Sequence, residues 1–277
     1  MLKPNYISLF RGGGVDENPL CAMVLDSMKK FRKNLGFTLA EVLITLGIIG
    51  IVAAMVIPSL ISNIRAHQYA TKYKKALATL SNAGRMSLAQ YGFDYSGINA
   101  KCNANSATDN PESKLSVCAL LNGTLSSPMF YYGRENLKMS NGQAYKTSGA
   151  FSEMMSIQNN ELPIYVLQDG TIIVFSRSIG MLPCSANNAF YAYFQDDSAQ
   201  NSTGCFGLID VNGTAPPNKE IKCSKGTNRI GRRPSDTPAF NCVVNSKDVT
   251  DVYPFVVHQG IAESLTDAGV YVFNNIR

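Results

Sequence analysis

Seven cysteines, a glutamate inside an apolar run, an Asp-Val-Asn-Gly stretch and a cluster of lysines and arginines are the residues of this chain with chemistry to offer. Six of the cysteines (Cys102, Cys118, Cys184, Cys205, Cys223 and Cys242) lie beyond the apolar run, and Cys21 lies before it. An even set without a CxxC pair points to disulfides made in an oxidising compartment. Sequential pairing, Cys102 with Cys118, Cys184 with Cys205 and Cys223 with Cys242, is attractive because each loop is short, and the other connectivities stay open. The two histidines, His67 and His258, stand far apart and near no cysteine pair, which argues against a zinc site. Enzyme signatures are missing as well: there is no GxSxG, HExxH, P-loop or GxGxxG, and no histidine with a recognisable catalytic partner. The expectation is a protein that is not an enzyme.

Asp210-Val211-Asn212-Gly213 has the opening of an oxygen-ligand calcium loop, with Asp210 and Asn212 as candidate ligands. Calcium is the one cofactor the sequence offers, yet the later acidic ligands of an EF-hand are missing. The same residues suit a strand-ending turn in which Asn-Gly supplies a positive φ. Lys219, Lys222, Lys225, Arg229, Arg232 and Arg233 form a basic run around Cys223, opposed only by Glu220. A braced basic loop offers a surface to DNA or another polyanion. It equally suits a solvated loop, and no aromatic interleaves the run to stack bases.

Residues 37–57 hold a single charge, Glu41, and at about 1.5 Å per residue they are long enough to cross a hydrocarbon core. An acidic residue near the centre of such a span costs about 2.5–3.5 kcal/mol, less towards the end, so Glu41 is a functional candidate in need of a partner. A glutamate that snorkels to the interface is the plainer reading. Val52-Ala53-Ala54 supplies small residues where an ordinary signal peptidase cuts, but the apolar run exceeds the usual length of a signal peptide and continues through Leu60 and Ile61. Lys29, Lys30, Arg32 and Lys33 precede the span and Arg65, Lys72, Lys74 and Lys75 follow it, so flanking charge gives nearly a tie for orientation. The cysteines break it, because disulfides need the C-terminal part outside.

Lys33-Asn34-Leu35-Gly36 followed by Phe37-Thr38-Leu39-Ala40-Glu41 resembles the prepilin peptidase site of type IV pilins and type II secretion pseudopilins. The resemblance implies cleavage after Gly36, N-methylation of Phe37, and assembly through Glu41, whose carboxylate meets the new amine of a neighbouring subunit. Burying both charges as one pair in low dielectric offsets two separate penalties. Pro58 falls where many pilins carry a helix-kinking proline. The implied organisation is a leader over residues 1–36, a transmembrane assembly helix over 37–60, its amphipathic continuation over 61–91, and an exported disulfide-rich head over 92–277. The leader is unusually long, and Met23 or Met28 is an alternative start to Met1. Residues 1–36 hold six Lys/Arg and three Asp/Glu, which leaves 19 basic against 17 acidic residues, so the net +5 of the chain falls to +2 without them. No strong global field remains to attract nucleic acid.

The expected partners are other pilin or pseudopilin subunits, prepilin peptidase, an inner-membrane assembly platform and the lipid bilayer. The expected place is the bacterial inner membrane, crossed once with the leader cytoplasmic and the head periplasmic or extracellular. A type IV pilus, a type II secretion pseudopilus and a DNA-uptake pilus all fit. A mature chain of 241 residues favours a minor subunit, and a tip subunit binding DNA through the basic loop is the alternative.

The elements that would carry these residues follow from periodicity. Apolar positions Ile57, Ile61, Ile64, Tyr69, Tyr73, Ala76, Leu77, Leu80 and Ala83 recur mostly three or four apart, which predicts one helix over 37–91 ending at Gly92. Residues 92–113 read as loop, 113–121 as a short helix closed by Asn122-Gly123, and 124–160 as irregular with a turn at Ser140-Asn141-Gly142. Residues 163–168 and 171–176 read as a hairpin about a two-residue Asp169-Gly170 turn. Residues 189–195, 205–211, 252–258 and 270–273 read as further strands. The whole is an α+β, type IV pilin-like arrangement: a long helix packed on an antiparallel sheet. In the head, Asp169-Gly170-Thr171, residues 209–213 and Pro217-Asn218 are similar to elements of larger bacterial pilin-like proteins. Asp251-Val252-Tyr253, which would follow at once in those relatives, comes here only after an insertion of about thirty residues holding Cys223 and Cys242.

Overall fold

A computed structural model describes residues 37–156, 162–176, 206–230 and 241–276. The expected strand at 189–195 and the residues Gly36, Cys184, Cys205, Arg232 and Arg233 lie outside the described residues. The first element is the long helix α1, Leu39–Tyr91, with Pro58 inside it. Chain contacts divide the protein into two units, the first ending at Met55 and the second beginning at Val56. The α1 residues of the first unit bury nothing: Leu43, Leu46, Ile49 and Ile51 are each about 60% exposed.

In the second unit the buried stripe of α1 runs through Ala66, Ala70, Tyr73, Leu77, Leu80 and Gly84, alternating steps of four and three. It begins later than the periodicity implied. Ile57, Ile61 and Ile64 repeat at the same spacing but stay exposed. Spacing alone does not distinguish a stripe facing a protein core from one facing another apolar medium.

Six strands form one antiparallel sheet in sequence order: β1 Met129–Tyr132, β2 Pro163–Val166, β3 Ile172–Phe175, β4 Phe206–Asp210, β5 Val252–His258 and β6 Ile261–Ser264. With α1 before it, this is an α+β layout consistent with a pilin fold. Side chains alternate between two cores, as a period of two requires. Tyr165, Ile173, Phe175, Ile209, Tyr253, Phe255 and Val257 join the core that includes α1, and Tyr73 stacks on Tyr253 at 4.2 Å. Ile164, Val166, Ile172, Val174, Leu208 and Val256 face a second core with Leu137, Tyr145, Phe151 and Met155. Both faces being covered, β2 to β5 read as continuous apolar runs.

Three shorter α-helices lie among the described residues: α2 Val117–Thr124, α3 Ala150–Ser156 and α4 Asp267–Asn275. Several differ from the sequence reading. The helix expected at 113–121 starts later, at the N-cap Ser116, whose side chain accepts from Ala119 N. Residues 124–160 hold β1 and α3 rather than irregular chain. The β2–β3 connection has three residues, not two: Leu167 N donates to Thr171 O, and Gly170 closes the loop at φ 80°. That single extra residue sets the register Val166↔Ile172 and sends Ile172 and Val174 to the second core.

The strand expected at 270–273 is helical. Val270-Tyr271-Val272-Phe273 has strand composition, but Thr266 caps a helix there by accepting from Gly269 N at 3.2 Å. Ala268, Val272 and Ile276, four apart, then reach the core. The real last strand, β6, lies earlier, behind a Gln259-Gly260 turn in which Gln259 holds φ 51°. Glutamine is not a usual turn signal, so nothing marked it.

Candidate functional site

The N-terminal region is built on the first turn of α1. Phe37 is 84% exposed and stands just outside the helix. Thr38 Oγ1 accepts from Glu41 N at 3.2 Å, and Glu41 Oε2 accepts from Thr38 N and from Thr38 Oγ1, each at 2.9 Å. This is a reciprocal capping box, Thr-x-x-Glu, which satisfies donors that a helix start leaves free. The Thr-x-x-Glu spacing is present in the sequence, where it marks a helix start. Beyond Glu41, residues 42–64 hold no charge, and the apolar helix is exposed along its length. An 18-residue window of mean hydropathy 2.5, none of it buried, is long and apolar enough to cross a membrane. Apolar surface so continuous signals a second apolar medium rather than water.

In the head, the three sequence elements separated by the insertion come together. Asp210 ends β4, Asn218 follows it in the loop, and Asp251 precedes β5. Asn212 N donates to Asp210 Oδ1 and Asn218 N to Asp251 Oδ2, while Asn218 Nδ2 reaches Asp210 Oδ2 at 3.2 Å. Gly213 N, Tyr145 Oη and Lys219 N complete the set. Burial holds both carboxyls above the ordinary carboxylate range, and for Asp210 the charge of Asp251 adds to it. As placed, the oxygens of Asp210 are turned to N–H and O–H donors, and Asn212 Nδ2 donates to Ala215 O and Pro216 O. A calcium ion at Asp210 and Asn212 would have to displace them. Among the described residues no group of three His, Cys, Asp or Glu side chains gathers as metal ligands. The cluster ties the insertion back into the sheet.

The basic run divides. Lys222 and Lys225 are exposed. Arg229 Nε contacts Asp267 Oδ2 at 2.8 Å, at the start of α4. Glu220, which seemed to oppose the positive charge, is buried instead and accepts from Phe151 N and Ser152 N at the start of α3. Cys223 is bonded to Cys242 and Cys102 to Cys118. The lysines that follow the span on α1 are also engaged: Lys72 Nζ donates to Val211 O, Lys74 Nζ to Ile276 O, and Lys75 pairs with Asp169 at 2.8 Å. Nothing in local spacing signalled these three bonds, because each partner lies far away in sequence.

Residues 31–57 match the family model of the prokaryotic N-terminal methylation motif. The chain carries the type IV pilin and pseudopilin signature. Its match runs from just before Gly36 to Ile57, within the apolar run, and includes Phe37, Thr38 and Glu41. No curated protein and no solved structure matches the chain significantly. The pilin-type motif therefore speaks for the N-terminal segment, and the head is read from its own geometry. A precursor with this signature is a substrate of prepilin peptidase and a partner of other pilin-type subunits, and such proteins are structural rather than catalytic.

Proposed function

We propose that this chain is a structural prepilin or pseudopilin subunit, cut between Gly36 and Phe37, N-methylated on Phe37, anchored once in the inner membrane with its head outside, and assembled into a filament through α1. The observation that carries the reading is a coincidence in one segment. The methylation motif at residues 31–57 overlies the first part of α1, where no apolar side chain is buried within the chain and the one charge, Glu41, stands in the first turn. An unburied helix needs lipid before assembly and neighbouring helices after it; the motif is the mark of proteins that make that exchange. In the filament Glu41 would leave Thr38 for the methylated amine of a neighbouring subunit, replacing a cap with a charge pair in low dielectric. The disulfides Cys102–Cys118 and Cys223–Cys242 support an exported head.

Mass spectrometry of the chain from membranes of cells with an active prepilin peptidase should find an N-terminus at methylated Phe37. An N-terminus near Met55, or an uncut chain, would refute the assignment.

A further inference from the structure

Between Glu41 and Asp94 the chain has no acidic residue, yet Arg65, Lys72, Lys74, Lys75 and Arg85 all lie there. Lys72, Lys74 and Lys75 have partners in the head. Arg65 is exposed and makes no ion pair or hydrogen bond among the described residues. It lines a groove of about 830 Å³ between α1 and the 212–217 loop, together with Gln68, Tyr69 and Lys72 on the helix, and Asn212, Pro216 and Pro217 on the loop, the two prolines forming an apolar wall. The volume suits a small ligand. None of the lining residues is acidic, and Lys72 spends one of its three donors on Val211 O, leaving two. The buried carboxylates of Asp210 and Asp251 lie behind Asn212 and are held by their own N–H and O–H donors.

The groove also has a direction. Ile61, Arg65, Gln68 and Lys72 follow one another at steps of four, three and four on α1, so an exposed apolar position leads straight into the cationic ones. From Ile61, where the apolar run ends, to Arg65 the helix rises about 6 Å. A helical side chain leans back towards the N-terminus, and an arginine covers much of that distance. Its guanidinium then stands at the headgroup layer, roughly 5–7 Å deep on each side of the hydrocarbon. A guanidinium fork fits phosphate oxygens two at a time, and the ammonium of Lys72 adds a second donor.

We propose that this groove seats the phosphate of an anionic glycerophospholipid, with Arg65 as its principal ligand, Pro216 and Pro217 against the glycerol, and the acyl chains along Ile61 and Ile64. The inference rests on α1 being a membrane anchor. Native mass spectrometry of the full chain in neutral detergent, titrated with phosphatidylglycerol, phosphatidylcholine or glycerol 3-phosphate, tests it. One phosphatidylglycerol should bind in preference to phosphatidylcholine, and Arg65→Gln should weaken it about fivefold while Lys101→Gln, an exposed cation elsewhere, leaves it unchanged. Equal binding of the two lipids, or an Arg65→Gln chain indistinguishable from wild type, overturns the site. Glycerol 3-phosphate binding as tightly as the lipid assigns the groove to soluble phosphate esters and overturns the lipid. Flotation with phosphatidylcholine vesicles reads the anchor separately: a chain that fails to float refutes the membrane reading, whereas one that floats but ignores the change at Arg65 refutes the headgroup site alone.

Discussion

Glu41 serves two ends, and a pair of substitutions separates them. As a cap it accepts from Thr38 N and Thr38 Oγ1; as a charge it would offset the amine of another subunit. Glu41→Gln keeps an acceptor for Thr38 and removes the charge, while Glu41→Ala removes both and costs about 1 kcal/mol of local helix stability. Both variants should be cleaved and methylated, and neither should enter filaments when sheared fractions are probed. A glutamine variant that assembled normally would assign Glu41 to capping and dispose of the charge pair. Arg229 is engaged differently. Asp267 is nearly buried and Arg229 is partly exposed, so their coupling belongs in the modest range of about 0.2–1 kcal/mol in a double-mutant cycle. Binding of DNA by the head would need that contact broken or Lys222 and Lys225 to suffice. If alanine at Arg229, Arg232 and Arg233 leaves salt-sensitive DNA binding unchanged, the basic loop is not a polyanion site.

Caps and crosslinks decide the fate of the short elements. Thr266→Ala should destabilise the full chain by about 1 kcal/mol in chemical denaturation, since Thr266 is the cap that turns a strand-like sequence into α4. No measurable loss would show that packing of Ala268 and Val272 holds this helix alone. Replacing Cys102 and Cys118 by alanine opens a loop of sequence separation 16, for which a loss of about 3 kcal/mol is expected, seen as a lower denaturant midpoint without reducing agent; an unchanged midpoint would show that this bond adds nothing to the fold. The sequence revealed elements whose signals are local and repeated. The long helix showed in three-and-four spacing, and the hairpin in two apolar runs about Asp169-Gly170. It concealed those fixed from a distance: β1 is aromatic and only four residues long, β6 follows a glutamine held in a left-handed conformation, and α4 is chosen over a strand by one hydroxyl. The candidate site divides along the same line. Gly36, Phe37 and Glu41 stand in an unbroken motif, whereas the Asp210, Asn218 and Asp251 cluster appears only when the chain closes over its insertion.

For the molecule as a whole, buried carboxyls set how stability varies with pH. Burial holds Asp210, Asp251 and Glu220 above their ordinary values of 3.8, 3.8 and 4.5. From those values up to the raised folded ones, the native state keeps protons that the unfolded chain has shed, so stability falls as pH rises through that window. Asp169 works in the other direction. Burial raises it, but the bonds from Lys75 and Thr171 outweigh that and hold it low, so its contribution is present above 3.8 and is lost only in stronger acid. Thermal melts of the full chain in detergent should therefore show a higher midpoint in mildly acidic buffer than at neutral pH, and Asp210→Asn should flatten the slope. A slope identical in the variant would mean that Asp210 does not set it. The attachment of α1 to the head carries a consequence of another kind. Lys72, Lys74 and Lys75 occupy one turn of helix yet grip three separate places, the end of β4, the end of α4 and the β2–β3 loop, with the Tyr73–Tyr253 stack among them. Tension drawn along the helix would load these fastenings abreast, in shear, and not one after another as in a zip. A head fastened this way can pass a pull from its helix into several elements at once, as the proposed filament would demand.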